Sequence, residues 1–123
     1  TLSSSSAASD VYKRQSLGYE WQAELGSLRP QMLINVTPIG MSGGPEAQQL
    51  AFDAEAIKAA QTVFDVVAVP PETPLILRAR AEGKQVITGL EVIAIQALEQ
   101  FVLYTGVRPS EEQFQKAVAF ARP

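Results

Sequence analysis

Short unbroken apolar runs alternate along this chain with longer segments in which apolar residues recur every third or fourth position. The first run, Met32-Leu33-Ile34-Asn35-Val36, has strand length and stops at Thr37-Pro38, which suits a strand buried on both faces. Gly40, Gly43 and Gly44 then form a loop. Asp53 is placed to cap a helix over 54–60, with Glu55 in the first turn where the helix dipole favours an anion. Residues 62–69 carry the strongest strand pattern, ended by Pro70-Pro71, neither of which can donate to a ladder. Thr73-Pro74 is a helix start, with Thr as N-cap and Pro at the first helical position, and Gly83 closes that helix. A third short strand is predicted over 84–88.

From Gly89 the pattern changes to two consecutive helices. The first, over 89–104, carries Leu90, Val92, Ile93, Ile95, Leu98, Phe101 and Val102 around most of its circumference, which predicts burial between layers. Its narrow polar stripe is Gln96, Glu99 and Gln100. Gly106 ends it, and Ser110 with Gln113 three residues later reads as a capping box opening a helix whose apolar stripe is Phe114, Val118 and Ala121. No internal repeat is visible. Alternating strands and helices followed by two helices predict an α/β fold with parallel strands.

Composition narrows the chemistry sharply. Among 123 residues there are no Cys and no His, which excludes a thiol nucleophile, a Ser-His-Asp triad, a disulfide framework and a thiolate or imidazole metal site. Carboxylates, Lys, Tyr and backbone groups remain. Ten Lys+Arg against thirteen Asp+Glu give a net charge of −3, which argues against a nucleic-acid partner. No apolar run approaches the roughly 20 residues of a membrane span, so no membrane role is expected and the expected setting is cytoplasmic.

Residues 1–15, TLSSSSAASDVYKRQ, lack apolar periodicity and differ abruptly from the rest of the chain. Asp10-Val11-Tyr12-Lys13-Arg14-Gln15 can be encoded GAT GTG TAT AAG AGA CAG, the transposase end of a common sequencing adaptor, and the upstream serines and alanines fit the same frame. This segment is therefore read as a disordered, translated adaptor artefact that takes no part in the fold. Excluding Lys13, Arg14 and Asp10 takes the 10 basic and 13 acidic residues to 8 and 12, a net charge of −4. A chain entered through an adaptor is expected to be the back part of a longer protein.

Three features are candidates for function. The segment from Asn35 to Met41, with Gly43 and Gly44, puts a glycine-containing loop at the carboxyl end of a strand, where ligands sit in open α/β sheets; a plain strand-to-helix turn has the same pattern. The segment from Asp65 to Thr73 ends a strand in prolines beside a capped helix, which is also the pattern of a rigid structural turn. Gly89 opens a helix with Gln96 two turns in, an amide able to hydrogen-bond a polyol or simply to face water.

In order and spacing, Asn35-Val36-Thr37-Pro38-Ile39-Gly40-Met41, the segment Phe64-Asp65-Val66-Val67-Ala68-Val69-Pro70-Pro71-Glu72-Thr73-Pro74-Leu75 and Gly89-Leu90-Glu91-Val92-Ile93-Ala94-Ile95-Gln96-Ala97 resemble three motifs of the shikimate dehydrogenase family. The resemblance runs from about Ser16 to Pro123 and corresponds to the family's C-terminal half. It implies that residues 16–88 are part of a Rossmann-like NADP-binding domain, that 89–123 are a C-terminal helical segment, and that the whole is a fragment of a two-domain protein. By the same resemblance, Thr37, Gly40 and Met41 line the cofactor cleft, Val66 and Gly89 frame the nicotinamide, and Gln96 binds the hydroxyls of a substrate of the shikimate or 3-dehydroshikimate class. The implied activity is reduction of 3-dehydroshikimate with NADPH in aromatic amino acid biosynthesis.

Two of these segments depart from the family pattern. Ala68 stands where shikimate-specific members carry a Tyr that touches substrate, and Glu91-Val92 replaces the usual Gly-Met. The family's catalytic Lys and Asp and its phosphate-binding glycine loop lie upstream, and no G-x-G-x-x-G occurs in this chain. No catalytic or metal-binding residue is therefore assigned within the chain, and it is expected to be inactive alone. The alternatives are a non-catalytic nucleotide-binding or regulatory module of the same fold, or a dehydrogenase of quinate or another hydroxy acid. Without an N-terminal domain to pack on, the final helices are expected to leave an apolar face exposed.

Overall fold

The computed structural model describes Gly18 and residues 22–121. The adaptor reading of residues 1–15 lies outside them. Strand β1 (Met32–Asn35), helix α1 (Ala54–Ala59), strand β2 (Thr62–Asp65), helix α2 (Pro74–Ala81) and strand β3 (Gln85–Ile87) are followed by helices α3 (Gly89–Thr105) and α4 (Glu111–Ala121). The three strands form one parallel sheet in the order β1-β2-β3, with Leu33 opposite Val63 and Val63 opposite Val86. Parallel neighbours require a crossover, and α1 and α2 supply the two that the alternating pattern anticipates.

Each helix starts where a side chain can take an orphan amide. Asp53 accepts from Ala56 N at 2.7 Å, and Thr73 accepts from Ile76 N at 3.2 Å ahead of Pro74. Ser110 and Gln113 form the expected box, with Gln113 N donating to Ser110 Oγ at 3.2 Å and Ser110 N to Gln113 Oε1 at 2.9 Å. A second box, not anticipated, opens α3: Thr88 N donates to Glu91 Oε2 at 2.7 Å while Glu91 N donates to Thr88 Oγ1 at 3.3 Å. Gly83 and Gly106 take the positive φ that terminates α2 and α3.

The core lies on one face of the sheet. Leu33 and Val63 point into a cluster with Ala56, Ile57 and Ala60 of the α1 region and Leu75 and Ala79 of α2, with Val86 packed against it. Their alternation with Met32 and Ile34 on β1, which are 47% and 45% exposed, corrects the expectation that this strand is buried on both faces. Among the described residues, both crossover helices that contact the sheet cover the same set of alternate residues, so the other set stays open.

Two further expectations are corrected. The strand over 62–69 ends at Asp65, because its partner β1 ends at Asn35 and the chain beyond folds back onto side chains, with Val67 N donating to Asp65 Oδ1. Helix α3 is not buried between layers. Only Gly89 is buried in it, because nothing among the described residues stacks on its outer side; Ile93 and Ile95 are about half exposed and Leu103 far more so. No described helix is long and apolar enough to cross a membrane.

Candidate functional site

All three strands point the same way, so the segments leaving them share one edge of the sheet. β1 delivers the loop from Val36 to Met41, β2 the turn from Val66 to Val69, and β3 delivers Thr88 and Gly89. Nothing in sequence spacing alone forces the first two together. A buried polar cluster does so.

Asn35 and Asp65 end their strands as register partners, and both are buried, at 2% and 0% exposure. The Asp65 carboxyl accepts three hydrogen bonds: Oδ1 from Asn35 Nδ2 at 3.1 Å and Val67 N at 3.0 Å, and Oδ2 from Thr73 Oγ1 at 2.7 Å. Asn35 Nδ2 also donates to the Ile39 carbonyl at 3.1 Å, and Asn35 Oδ1 accepts from Thr37 N at 3.0 Å and Thr37 Oγ1 at 2.6 Å. One network thus fixes the β1 loop, the β2 turn and the start of α2. It also satisfies every polar group it buries, as a low-dielectric site demands.

The loops are tied a second time by backbone. Ser42 N donates to the Val69 carbonyl at 2.9 Å beside the cis Val69–Pro70 peptide, and Gly40 N donates to the Glu46 carbonyl at 3.0 Å. Gly40 is buried with φ +89, a conformation side chains rarely adopt, and a Cβ there would stand 3.4 Å from Thr73 Cβ. Gly89 is more tightly constrained: a Cβ would lie 2.5 Å from the carbonyl oxygens of both Val66 and Val67. Its lack of a side chain is demanded by the close approach of α3 to the β2 turn.

The five residues expected at a cofactor therefore divide by exposure. Val66 and Met41 present apolar side chains at the edge, 39% and 41% exposed, and Thr37 is also exposed. Gly40 and Gly89 are buried beneath them as spacers. The Thr37 hydroxyl already donates to Asn35 and accepts from Ile39 N at 3.4 Å, which leaves it one lone pair rather than a proton for an incoming group. Gln96 is exposed on α3, roughly 10 Å along the helix axis from Gly89 by the ordinary rise of 1.5 Å per residue, and is not part of the network. Ala68 is half-buried beside Val67.

Asn35, Asp65 and Thr73 were not assigned a site role from sequence. Their signal was present: Asn35 and Asp65, polar residues inside otherwise apolar strand runs, are anomalous unless they pair. The rigid-turn reading of the segment from Asp65 to Thr73 matches what Thr73 does as a helix cap. Glu91, one of the two departures in the α3 motif, is engaged in capping Thr88. Away from this edge, α3 and α4 enclose an apolar groove of about 590 Å³ lined by Leu90, Ala94, Phe101, Phe114 and Val118 among others. No group of three or more His, Cys, Asp or Glu able to hold a metal occurs among the described residues.

No family profile matches the chain. It is 51% identical over 105 residues to the shikimate dehydrogenase-like protein of Haemophilus influenzae, an alignment covering 85% of this chain and 39% of that protein. It is 38% identical over 88 residues to the shikimate dehydrogenase (NADP(+)) of Leptospira interrogans, covering 69% of this chain and 29% of the relative. A solved structure of a shikimate 5-dehydrogenase-like protein superposes with a TM-score of 0.85 at 49% identity, covering 91% of this chain and 42% of that one. The chain thus spans well under half the length of the relatives it matches.

Proposed function

The chain belongs with the C-terminal part of the shikimate dehydrogenase-like family, and on that premise we propose that its loop edge is one wall of the nicotinamide site of an NADP-dependent oxidoreductase acting on a shikimate-class substrate. The observation that carries this is the convergence of Met41, Val66 and Gly89 at the carboxyl edge of one parallel sheet, where α/β folds take their ligands. Within the proposal, residues 16–88 are the nucleotide-binding part, 89–123 the helical segment and 1–15 an adaptor translation.

The edge fits the nicotinamide end of such a cofactor. Exposed Val66 and Met41 offer apolar contact to a flat ring, while the buried glycines keep the loops close behind them. The phosphate end finds no partner here, since neither 37–41 nor 66–69 contains Lys or Arg. When bound, the cofactor supplies a hydride. This chain's residues exclude water from one side of the ring and hold the loop in place, and Gln96 is assigned to orient substrate hydroxyls from α3. Proton transfer is left to residues outside this chain, so the chain alone is expected to turn over nothing.

Ala68 favours a second substrate reading, quinate or another hydroxy acid. An Ala offers no hydroxyl where shikimate-specific members carry a phenol, and losing that bond to a buried substrate group weakens binding by about 1–3 kcal/mol. A non-catalytic module of the same fold predicts binding without turnover.

Two measurements test the proposal. Calorimetric titration of the 123-residue chain with NADP(+), with methyl resonances followed by NMR, should show saturable binding that shifts Met41 and Val66; binding that leaves both unmoved overturns the site. For activity, the source gene read upstream of Ser16 without a transposase adaptor is expected to extend the open frame, and its product should oxidise NADPH with 3-dehydroshikimate. A genomic start codon directly before Thr1 overturns the reductase assignment.

A further inference from the structure

We propose that Asp65 is a positioning residue for the cofactor-facing loop, acting through the side-chain amide of Asn35. This rests on the reading of that loop as a nicotinamide wall, which it deepens by naming what holds the wall in shape. The decisive property is polarity. Asp65 Oδ1 accepts from Asn35 Nδ2 and from Val67 N, and Oδ2 accepts from Thr73 Oγ1, so the carboxyl presents only acceptors to its buried surroundings.

An amide facing such an acceptor must turn its NH2 toward it. The Asn35 carbonyl oxygen is then forced to the opposite side, where it receives Thr37 N and Thr37 Oγ1. The same NH2 reaches the Ile39 carbonyl, so the two atoms of one amide grip the loop at Thr37 and Ile39, directly before Gly40 and Met41. Reversing the amide would set NH2 against Thr37 N and oxygen against the Ile39 carbonyl, replacing three attractive contacts with repulsive ones. The loop conformation is therefore tied to which way Asn35 points, and Asp65 reinforces that orientation from 0% exposure, without itself lying at the surface where a ligand binds.

The informative variant is Asp65→Asn, nearly the same shape but able to turn a donor toward Asn35, so that the acceptor reinforcing the Thr37 and Ile39 contacts of that amide is lost. Val63→Ala is the control, because it removes packing from the neighbouring β2 position without touching the network. Amide hydrogen exchange is measured on the 123-residue chain without nucleotide. Asp65→Asn is expected to speed exchange at Thr37 by about tenfold or more relative to the β2 amides, whereas Val63→Ala raises all of them together. Equal acceleration across loop and sheet in both variants overturns the proposal.

Should Asp65→Asn fail to fold, the unaltered chain decides by NMR: both side-chain amide protons of Asn35 are expected to be protected from exchange, as donors to Asp65 and to the Ile39 carbonyl, and unprotected protons overturn the proposal equally. Titration with NADP(+) then tests the reading beneath it. Asp65→Asn should weaken binding about fivefold, the equivalent of one net hydrogen bond, while Val63→Ala leaves the affinity of the folded fraction unchanged. A wild-type chain that binds no NADP(+) refutes the cofactor reading alone, since exchange decides the positioning role independently.

Discussion

Gly89 stands directly against the backbone of Val66: a Cβ built on it would lie 2.5 Å from the Val66 carbonyl oxygen and as near to that of Val67. The partner atoms are main chain rather than flexible side-chain ends, so they cannot swing aside. Gly89→Ala must move α3 away from the β2 turn, and overpacking of this kind costs about 1–3 kcal/mol. Urea unfolding of the variant is the check. An unchanged midpoint would mean that α3 is free to shift, and would detach Gly89 from the site edge.

Thr73 does two things with one hydroxyl, donating to Asp65 and accepting from Ile76 N. Thr73→Val keeps its shape and removes both, so it loses a helix cap of about 1 kcal/mol and leaves a buried carboxyl oxygen short of a donor. A total loss of about 2–3 kcal/mol is expected. A double-mutant cycle with Asp65→Asn should show coupling above about 0.5 kcal/mol, and strict additivity would dismiss the network as a unit.

The elements were largely legible because local signals agreed: Asp53, Thr73-Pro74 and Ser110 with Gln113 each announce a helix, and Gly83 and Gly106 each end one. Two of the three errors share one cause. Burial of β1 on both faces and of α3 all round was inferred from apolar composition, yet burial requires a partner layer, and apolarity reports only the demand for one. The candidate site was half legible. Met41, Val66 and Gly89 sit in recognisable motifs, whereas the role of Asn35 and Asp65 depends on a register pairing thirty residues apart that no local pattern encodes.

Glu99 and Arg108 form a two-pronged pair, with Nη1 to Oε1 at 3.0 Å and Nη2 to Oε2 at 2.9 Å, bracing α3 against the segment that leads to α4. The hydrogen bond from Arg108 holds the Glu99 carboxyl below its ordinary range, outweighing the small opposing desolvation, and Arg108 is correspondingly raised. A carboxyl depressed in the folded state stabilises the fold above its ordinary pKa and loses that contribution as pH falls through the depressed value. Both side chains are about half exposed, so the effect is small and screened by salt. Carboxyl-carbon NMR titration should place the Glu99 midpoint below that in Arg108→Gln, and closer to it at high salt. Coincident midpoints at low salt would show that the pair does not persist in solution.

The apolar surface that α3 and α4 leave uncovered should govern solution behaviour. Leu103 and Phe120 are 79% and 93% exposed, Ile93 and Ile95 are about half exposed, and Met32 and Ile34 open the uncovered sheet face. Soluble monomers rarely expose apolar patches beyond a few hundred Å². Water drives such exposed apolar surfaces together. Sedimentation velocity is expected to show weight-average mass rising with concentration. Leu103→Lys with Phe120→Ser should lower that mass while shifting stability by less than about 0.5 kcal/mol, since neither side chain is packed. A wild-type chain that stays monomeric throughout the range would show that these side chains are tolerated in water as they stand, and would remove the need for a covering partner.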